Sequence, residues 1–281
     1  MKLPFSKMEA TGADYIVIDD RDGTITCPES LCIKLCDRHY GVGGYGIALI
    51  EEPDDPEAHV KMRLFNRDGS EGFIAGTCIR SVAKYVYDRG IAKEDVIKIE
   101  TAAGIRAVSV YTSDGRVTMA GVEMGRAEFE PAKIPCSLGG DEIVDRPVKI
   151  AGGDYRITCL SVGNPHCVVF CDRVDGLDLD TIGPKFENDP IFPERVNTEF
   201  VRVVDPTTLR MRVWERGNGE TFACGTGACA AVAAAVRNGF CPKGEDVTVK
   251  VTGGDLIVNY RDDGITLSGD AKLVFDGVTE Y

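Results

Sequence analysis

The feature that most constrains this chain is that part of it is written twice. Residues 75–90 read Ala-Gly-Thr-Cys-Ile-Arg-Ser-Val-Ala-Lys-Tyr-Val-Tyr-Asp-Arg-Gly, and residues 224–239 read Cys-Gly-Thr-Gly-Ala-Cys-Ala-Ala-Val-Ala-Ala-Ala-Val-Arg-Asn-Gly. Each segment opens around a Gly-Thr pair, continues through helix-compatible residues, and stops at a glycine after the same number of positions. Gly90 and Gly239 suit the left-handed residue that ends many helices, where a Cβ is penalised. The strand patterns at 96–104 and 247–254 also correspond, as do 115–119 and 264–267. The offset from 75 to 224 is 149 positions in a chain of 281, too long a period for a solenoid. It predicts an α+β fold of two similar, pseudo-symmetric domains, each with strands wrapped around a central helix. The first is read as 1–126, completed by 270–281, and the second as 127–269.

Two glycine-led helix starts have chemical consequences. The first turn of a helix carries unpaired N–H groups and the positive end of the macrodipole. Gly-Thr at that point leaves the backbone open to an anion and adds a hydroxyl. Gly76 with Thr77, and Gly225 with Thr226, are therefore expected to hold a carboxylate between them. Cys224, at the second start, is expected to have its thiol pKa lowered toward the thiolate. A carboxylate beside a thiolate is an arrangement for removing a proton from the adjacent carbon. The competing reading is that Cys224–Ala230 only begins a tightly packed helix; the matched start at 75 weighs against it.

Other classes are excluded or left without support. A net charge of −13 argues against nucleic acid or an anionic membrane as partner, since phosphate binding needs clustered Lys and Arg. No stretch approaches the roughly 18 apolar residues of a membrane span, and residues 1–5 carry no secretory hydrophobic region. A cytoplasmic location and reduced thiols follow for the 11 cysteines. Cys32/Cys36 and Cys167/Cys171 lack a matching second pair at zinc spacing, so no metal site is expected. Gly41-Val42-Gly43-Gly44-Tyr45-Gly46 satisfies G-x-G-x-x-G but leads into a strand, 47–51, and is read as a loop rather than a dinucleotide site.

Five further motifs carry a resemblance. They are Phe65-Asn66-Arg67-Asp68-Gly69-Ser70-Glu71, Gly163-Asn164-Pro165-His166, Arg195-Val196-Asn197-Thr198-Glu199-Phe200, Trp214-Glu215-Arg216-Gly217-Asn218-Gly219-Glu220, and the run from Cys224 to Ala230. In this order and spacing the chain resembles the diaminopimelate epimerase family along nearly its whole length. The resemblance implies two domains with the site in the cleft, no pyridoxal phosphate and no metal. It implies two cysteines working on opposite faces of the substrate α-carbon, Cys224 being the second of them. By the same resemblance Asn66, Asn164, Asn197 and Arg216 hold the distal end of the substrate, with Glu215 assisting. Gly76, Thr77, Gly225 and Thr226 bind the carboxylate at the reacting centre, and His166 is a site histidine. A homodimer is one assembly open to such a chain.

The chain also departs from the family pattern. Where the first helix should open Cys-Gly-Asn-Gly-Ile-Arg, it has Ala75-Gly76-Thr77-Cys78-Ile79-Arg80. The internal repeat agrees, because Ala75 pairs with Cys224. Ala13 replaces an asparagine and Tyr45 an aspartate of the pattern. Cys78 lies one helical turn from Ala75, on the same face, and is the candidate replacement acid. Three readings stay open at this point: a diaminopimelate epimerase, an isomerase or racemase of another amino acid, and a non-catalytic amino-acid-binding relative.

Overall fold

The computed structural model describes residues 2–72 and 75–280. The chain separates into two compact units, residues 1–123 with 268–281, and residues 124–267. The first unit contains β1 (Lys2–Ala10), β2 (Ala13–Asp19), α1 (Pro28–Cys36), β3 (Gly46–Glu51), β4 (Val60–Asn66), β5 (Glu71–Gly72), α2 (Gly76–Asp88), β6 (Val96–Thr101), β7 (Gly104–Ser113) and β8 (Arg116–Glu123). The second contains a 3₁₀ turn at Pro131–Lys133, then β9 (Ile143–Ile150), β10 (Gly153–Ser161), β11 (Pro165–Phe170), α3 (Leu179–Glu187), β12 (Asn197–Asp205), β13 (Thr208–Glu215), β14 (Gly219–Thr221), α4 (Gly225–Arg237), β15 (Asp246–Val251) and β16 (Gly254–Tyr260). Strand β17 (Ile265–Asp270) carries the chain back, and β18 (Lys272–Glu280) completes the first unit by pairing antiparallel with β1.

The two units repeat one another strand for strand. In the first, β2 runs parallel to β3, β3 pairs antiparallel with β4, and β4 takes β5 antiparallel and β6 parallel. In the second, β11, β12, β13, β14 and β15 make the same succession of pairings. The duplication thus extends upstream of the segments that betray it in sequence. Gly12 and Gly163, both in the left-handed region, precede β2 and β11. They align Gly12-Ala13-Asp14-Tyr15 with Gly163-Asn164-Pro165-His166.

Each unit closes around one helix. Helix α4 packs on β10, β11, β12, β13, β15 and β16. Its residues from Gly227 to Ala235 are all buried. Only small side chains let strands approach a helix on so many sides, which accounts for the run of alanines. Helix α2 packs on β1, β2, β3, β4, β6, β7, β8 and β18, burying Cys78, Ile79, Val82, Ala83 and Val86. The central strands are apolar on both faces, as in Ile16-Val17-Ile18 and Ile47-Ala48-Leu49-Ile50, all buried. Both helices end as the sequence predicts: Gly90 at φ 74° and Gly239 at φ 75°, with Arg89 and Gly90 N–H donating to Tyr85 and Tyr87 O, and Asn238 and Gly239 to Ala234 and Val236 O.

The glycine-rich run after α1 is the C-terminal stop of that helix. Val42 and Gly43 N–H both donate to Leu35 O at 2.9 Å, and a Cβ on Gly41 would lie 2.3 Å from Lys34 O. The run binds its own helix end, and β3 follows it. A second glycine is fixed by packing alone. A Cβ on Gly183 in α3 would sit 2.3 Å from the Trp214 ring, so Gly183→Ala is expected to cost about 1–3 kcal/mol through overpacking, read as a lower denaturant midpoint with an unchanged slope. No helix of the described residues is long and apolar enough to cross a membrane.

Candidate active site

The start of α4 organises the candidate residues of the second unit. Cys224 is the N-cap residue, in extended conformation, and its Sγ accepts a hydrogen bond from Gly227 N–H at 3.3 Å. Thr226 places its hydroxyl 3.4 Å from the same sulfur. From there a chain of contacts runs inward. Asn164 Nδ2 donates to Thr226 Oγ1 at 3.4 Å, Asn164 Oδ1 meets His166 Nε2 at 2.9 Å, and His166 Nδ1 meets Glu199 Oε1 at 2.7 Å. The orientation of Asn164 fixes the protons. Its amide nitrogen points to Thr226, so its oxygen accepts from His166 and Nε2 carries hydrogen.

Glu199 was not singled out by the sequence beyond its place in a motif. It and His166 have no exposed surface, and Glu199 Oε2 has no hydrogen-bond partner among the described residues. Burial pushes its carboxyl above the ordinary range, against the pull of His166. The parallel register of β11 and β12 brings them together, with His166 opposite Asn197 and Glu199 two residues on, on the same face. Gly227 makes room for the carboxylate: a Cβ there would lie 2.7 Å from Glu199 Oε1.

The thiol of Cys224 does not behave as the helix start alone suggests. Its pKa is raised well above the usual thiol value, first by burial, then by the negative charges of Glu215 and Glu199; Thr226 and Gly227 N–H pull the other way. The expected lowering is therefore corrected. The first turn of α4 does donate to sulfur, but a residue only 9% exposed between two carboxylates keeps its proton. The sign of the Glu215 effect gives a test. Its negative charge disfavours thiolate, so Glu215→Gln should lower the thiol pKa. Alkylation of Cys224, followed on its peptide by mass spectrometry across pH, is expected to reach half its limiting rate at lower pH in that variant.

Among the other candidates of this unit, Glu215 lies near enough for its charge to act on Cys224. Glu215 accepts from Thr221 Oγ1 at 2.5 Å and from Asn218 Nδ2 at 3.4 Å. Asn197 is almost wholly engaged within the protein: Nδ2 donates to Pro165 O at 2.9 Å, and Oδ1 accepts from Arg216 N–H at 3.0 Å. Arg216 Nη1 donates to Glu194 O at 3.0 Å. In this structure Asn197 ties the start of β11 to the turn after β13. Gly225, the first residue of α4, is held close to Leu267, whose Cδ2 lies 2.9 Å from where its Cβ would be.

In the first unit, Ala75 is the N-cap residue of α2 and offers no side-chain cap. Gly76 and Thr77 form its first positions, and Thr77 Oγ1 lies 3.5 Å from the Tyr15 hydroxyl. Asn66 is exposed at the end of β4 and donates to Ser70 Oγ at 3.1 Å, within its own turn. Cys78 is a correction. It has no exposed surface, and burial pushes its thiol far up. Sharing a helical face with Ala75 does not bring it to the surface, because α2 buries that face against strands, and from the core it cannot hand a proton to a substrate. Among the described residues no group of His, Cys, Asp or Glu could hold a metal ion, and all cysteines are unbridged.

Solved structures share the α+β fold of this chain. A probable proline racemase from Agrobacterium radiobacter matches with a TM-score of 0.69 at 15% identity, over 99% of this chain and 92% of that one. A Bacillus anthracis phenazine biosynthesis protein of the PhzF family matches at 0.70 and 17% identity over the full length of both. Sequence is more specific. The Diaminopimelate epimerase family profile matches residues 5–130 and 158–274. Diaminopimelate epimerases from Acetivibrio thermocellus and Desulfovibrio desulfuricans are 44% and 46% identical, each over 98% of this chain and 98% and 97% of the relative. The chain belongs to the diaminopimelate epimerase family, and it is an isomerase.

Proposed function

We propose that this chain interconverts LL- and meso-diaminopimelate by taking and returning the α-proton, without pyridoxal phosphate or metal, in the cytoplasm, as a step toward lysine and cell-wall precursors. The observation that carries this reading is the thiol of Cys224 at the start of α4, held by Gly227 N–H and backed by Thr226, Asn164, His166 and Glu199. Burial and two carboxylates keep that sulfur protonated without substrate. An amino-acid substrate brings an ammonium group, and a cation beside the sulfur favours thiolate. The base would then form when there is a proton to take. The N–H groups at the start of α4 bind the carboxylate and stabilise the charge that develops on it. Asn66, Asn164, Asn197, Arg216 and Glu215 hold the distal end, and Asn197 does so by setting the position of Arg216.

The substrate is an amino acid rather than a polymer or a membrane, in keeping with the net charge of −13, and a homodimer is compatible with the reading. Ala75, Ala13 and Tyr45 favour a second reading, in which the same chemistry acts on another amino acid. Conversion assayed by chiral chromatography, with LL- and meso-diaminopimelate beside a panel of other L- and D-amino acids, separates the two. Interconversion of the diaminopimelates alone supports the first; turnover of another amino acid in their place overturns it.

A further inference from the structure

Resting on the reading of Arg216 as a holder of the substrate's distal end, we propose that Glu187, the last residue of α3, is a positioning residue: its buried carboxylate fixes the turn that presents Arg216 to the substrate.

Two observations, both within the second unit, carry the assignment. The first is what the carboxylate holds. Oε2 accepts from Trp214 Nε1–H at 2.7 Å, and Oε1 accepts from Gly217 N–H at 2.9 Å and from Arg195 Nη1 at 3.1 Å. Trp214 and Gly217 flank Glu215 and Arg216 in the chain, so one side chain pins the turn before and after that pair. The Arg195 contact reaches the segment that holds Arg216 from the other side. Arg216 Nη1 donates to Glu194 O, and Arg216 N–H donates to Asn197 Oδ1; Arg195 lies between those two partners. The second observation is packing. Gly183 stands one helical turn before Glu187, on the same face of α3, and a Cβ there would lie 2.3 Å from the Trp214 ring. The helix is therefore seated on the ring whose N–H it engages.

The position calls for a carboxylate. Glu187 is buried, and a buried acidic side chain is costly unless it is hydrogen-bonded. Three donors meet it, one of them charged, and two oxygens without hydrogen accept from all three. Helix α3 does not need the side chain for its own end, because Asn188 closes it: its N–H and Nδ2 donate to Pro184 O at 3.1 and 2.7 Å. Arg195 stands at φ 63°, a conformation that costs a residue other than glycine, and the ion pair with Glu187 is one of the contacts that keep it there. Glu215 has ties of its own, to Thr221 and Asn218, and Cys224 is held by Gly227 and Thr226. Arg216 is the site residue whose neighbours on both sides depend on Glu187.

The test is a double-mutant cycle of Glu187→Gln and Arg216→Met, with KM and kcat for LL-diaminopimelate measured well below each variant's thermal midpoint. The glutamine keeps the volume but sets an amide N–H against one of the three donors. It is expected to raise KM about 10-fold, the effect of losing one hydrogen bond to a charged group, and to change kcat by less than about threefold. Added to Arg216→Met, it should change KM by less than about threefold, because a residue that acts through Arg216 has nothing left to position. If Glu187→Gln does not fold, Trp214→Phe replaces it in the cycle; it removes one donor, keeps an aromatic ring, and should show the same non-additivity. An unchanged KM in the single variant would overturn the assignment. So would a full further rise in the double variant, or a fall in kcat as large as the rise in KM, either being the mark of a structural role. An Arg216→Met variant with the KM of the unsubstituted protein would instead remove Arg216 from substrate binding, and the assignment would fall with that reading.

Discussion

Cys224→Ala is expected to reduce interconversion of the diaminopimelates by about 10³-fold or more while leaving the protein folded. Removing a positioned base takes away roughly 10²–10⁴ of rate, and this base is also the atom that receives the substrate hydrogen. The change is small where folding is concerned. The sulfur accepts one long hydrogen bond from Gly227 N–H, and loss of an N-cap acceptor costs about 1 kcal/mol. A thermal midpoint within a few degrees of the unsubstituted protein should therefore accompany the lost activity. A variant that retained activity would remove the thiol from the chemistry. A serine at 224 would keep the cap but not the acidity, so Cys224→Ser is expected to recover the midpoint without the rate.

The largest effect on stability is expected at Glu199. Glu199→Ala leaves His166 buried and without its partner beneath the start of α4. Breaking one side of a buried, hydrogen-bonded ionisable pair typically costs 3–5 kcal/mol, which for a chain of this size lowers the midpoint by roughly 10 °C. Glu199→Gln keeps a hydrogen-bonding partner for Nδ1 and should lose far less. Because Asn164 hangs from His166 and Thr226 from Asn164, the alanine variant should also lose rate beyond what its stability explains, when assayed well below its midpoint. Calorimetry at fixed pH together with initial rates separates the two effects. Equal midpoints for the alanine and glutamine variants would show that the pair contributes little.

How much of this was legible in the sequence differs from residue to residue. The Gly-Thr starts and the glycine stops at 90 and 239 announced the two central helices, because a helix writes its ends with residues of particular conformation. The upstream half of the duplication was not legible. Gly12-Ala13-Asp14-Tyr15 and Gly163-Asn164-Pro165-His166 share one glycine, and their equivalence appears only when β2 with β3 and β11 with β12 are seen to make the same parallel pair. Glu199 was visible as a motif member, but a carboxylate in the strand Asn197–Asp205 shows its partner only once register sets it beside His166. The acidity of Cys224 was misjudged because a helix start is a local signal. Burial outweighs it first, and then the carboxylates of Glu215 and Glu199, which β13 and β12 bring to the sulfur. Cys78 failed in a similar way, since spacing puts it on the face of Ala75 but does not say that the strands bury it.

The most direct test is the fate of the α-hydrogen itself. LL-diaminopimelate is incubated with the unsubstituted protein in heavy water and its α-proton resonances are followed by NMR. The expected result is loss of α-proton signal in step with the appearance of meso-diaminopimelate, abolished in Cys224→Ala. Full retention of the α-protons by a substrate shown to bind would contradict it.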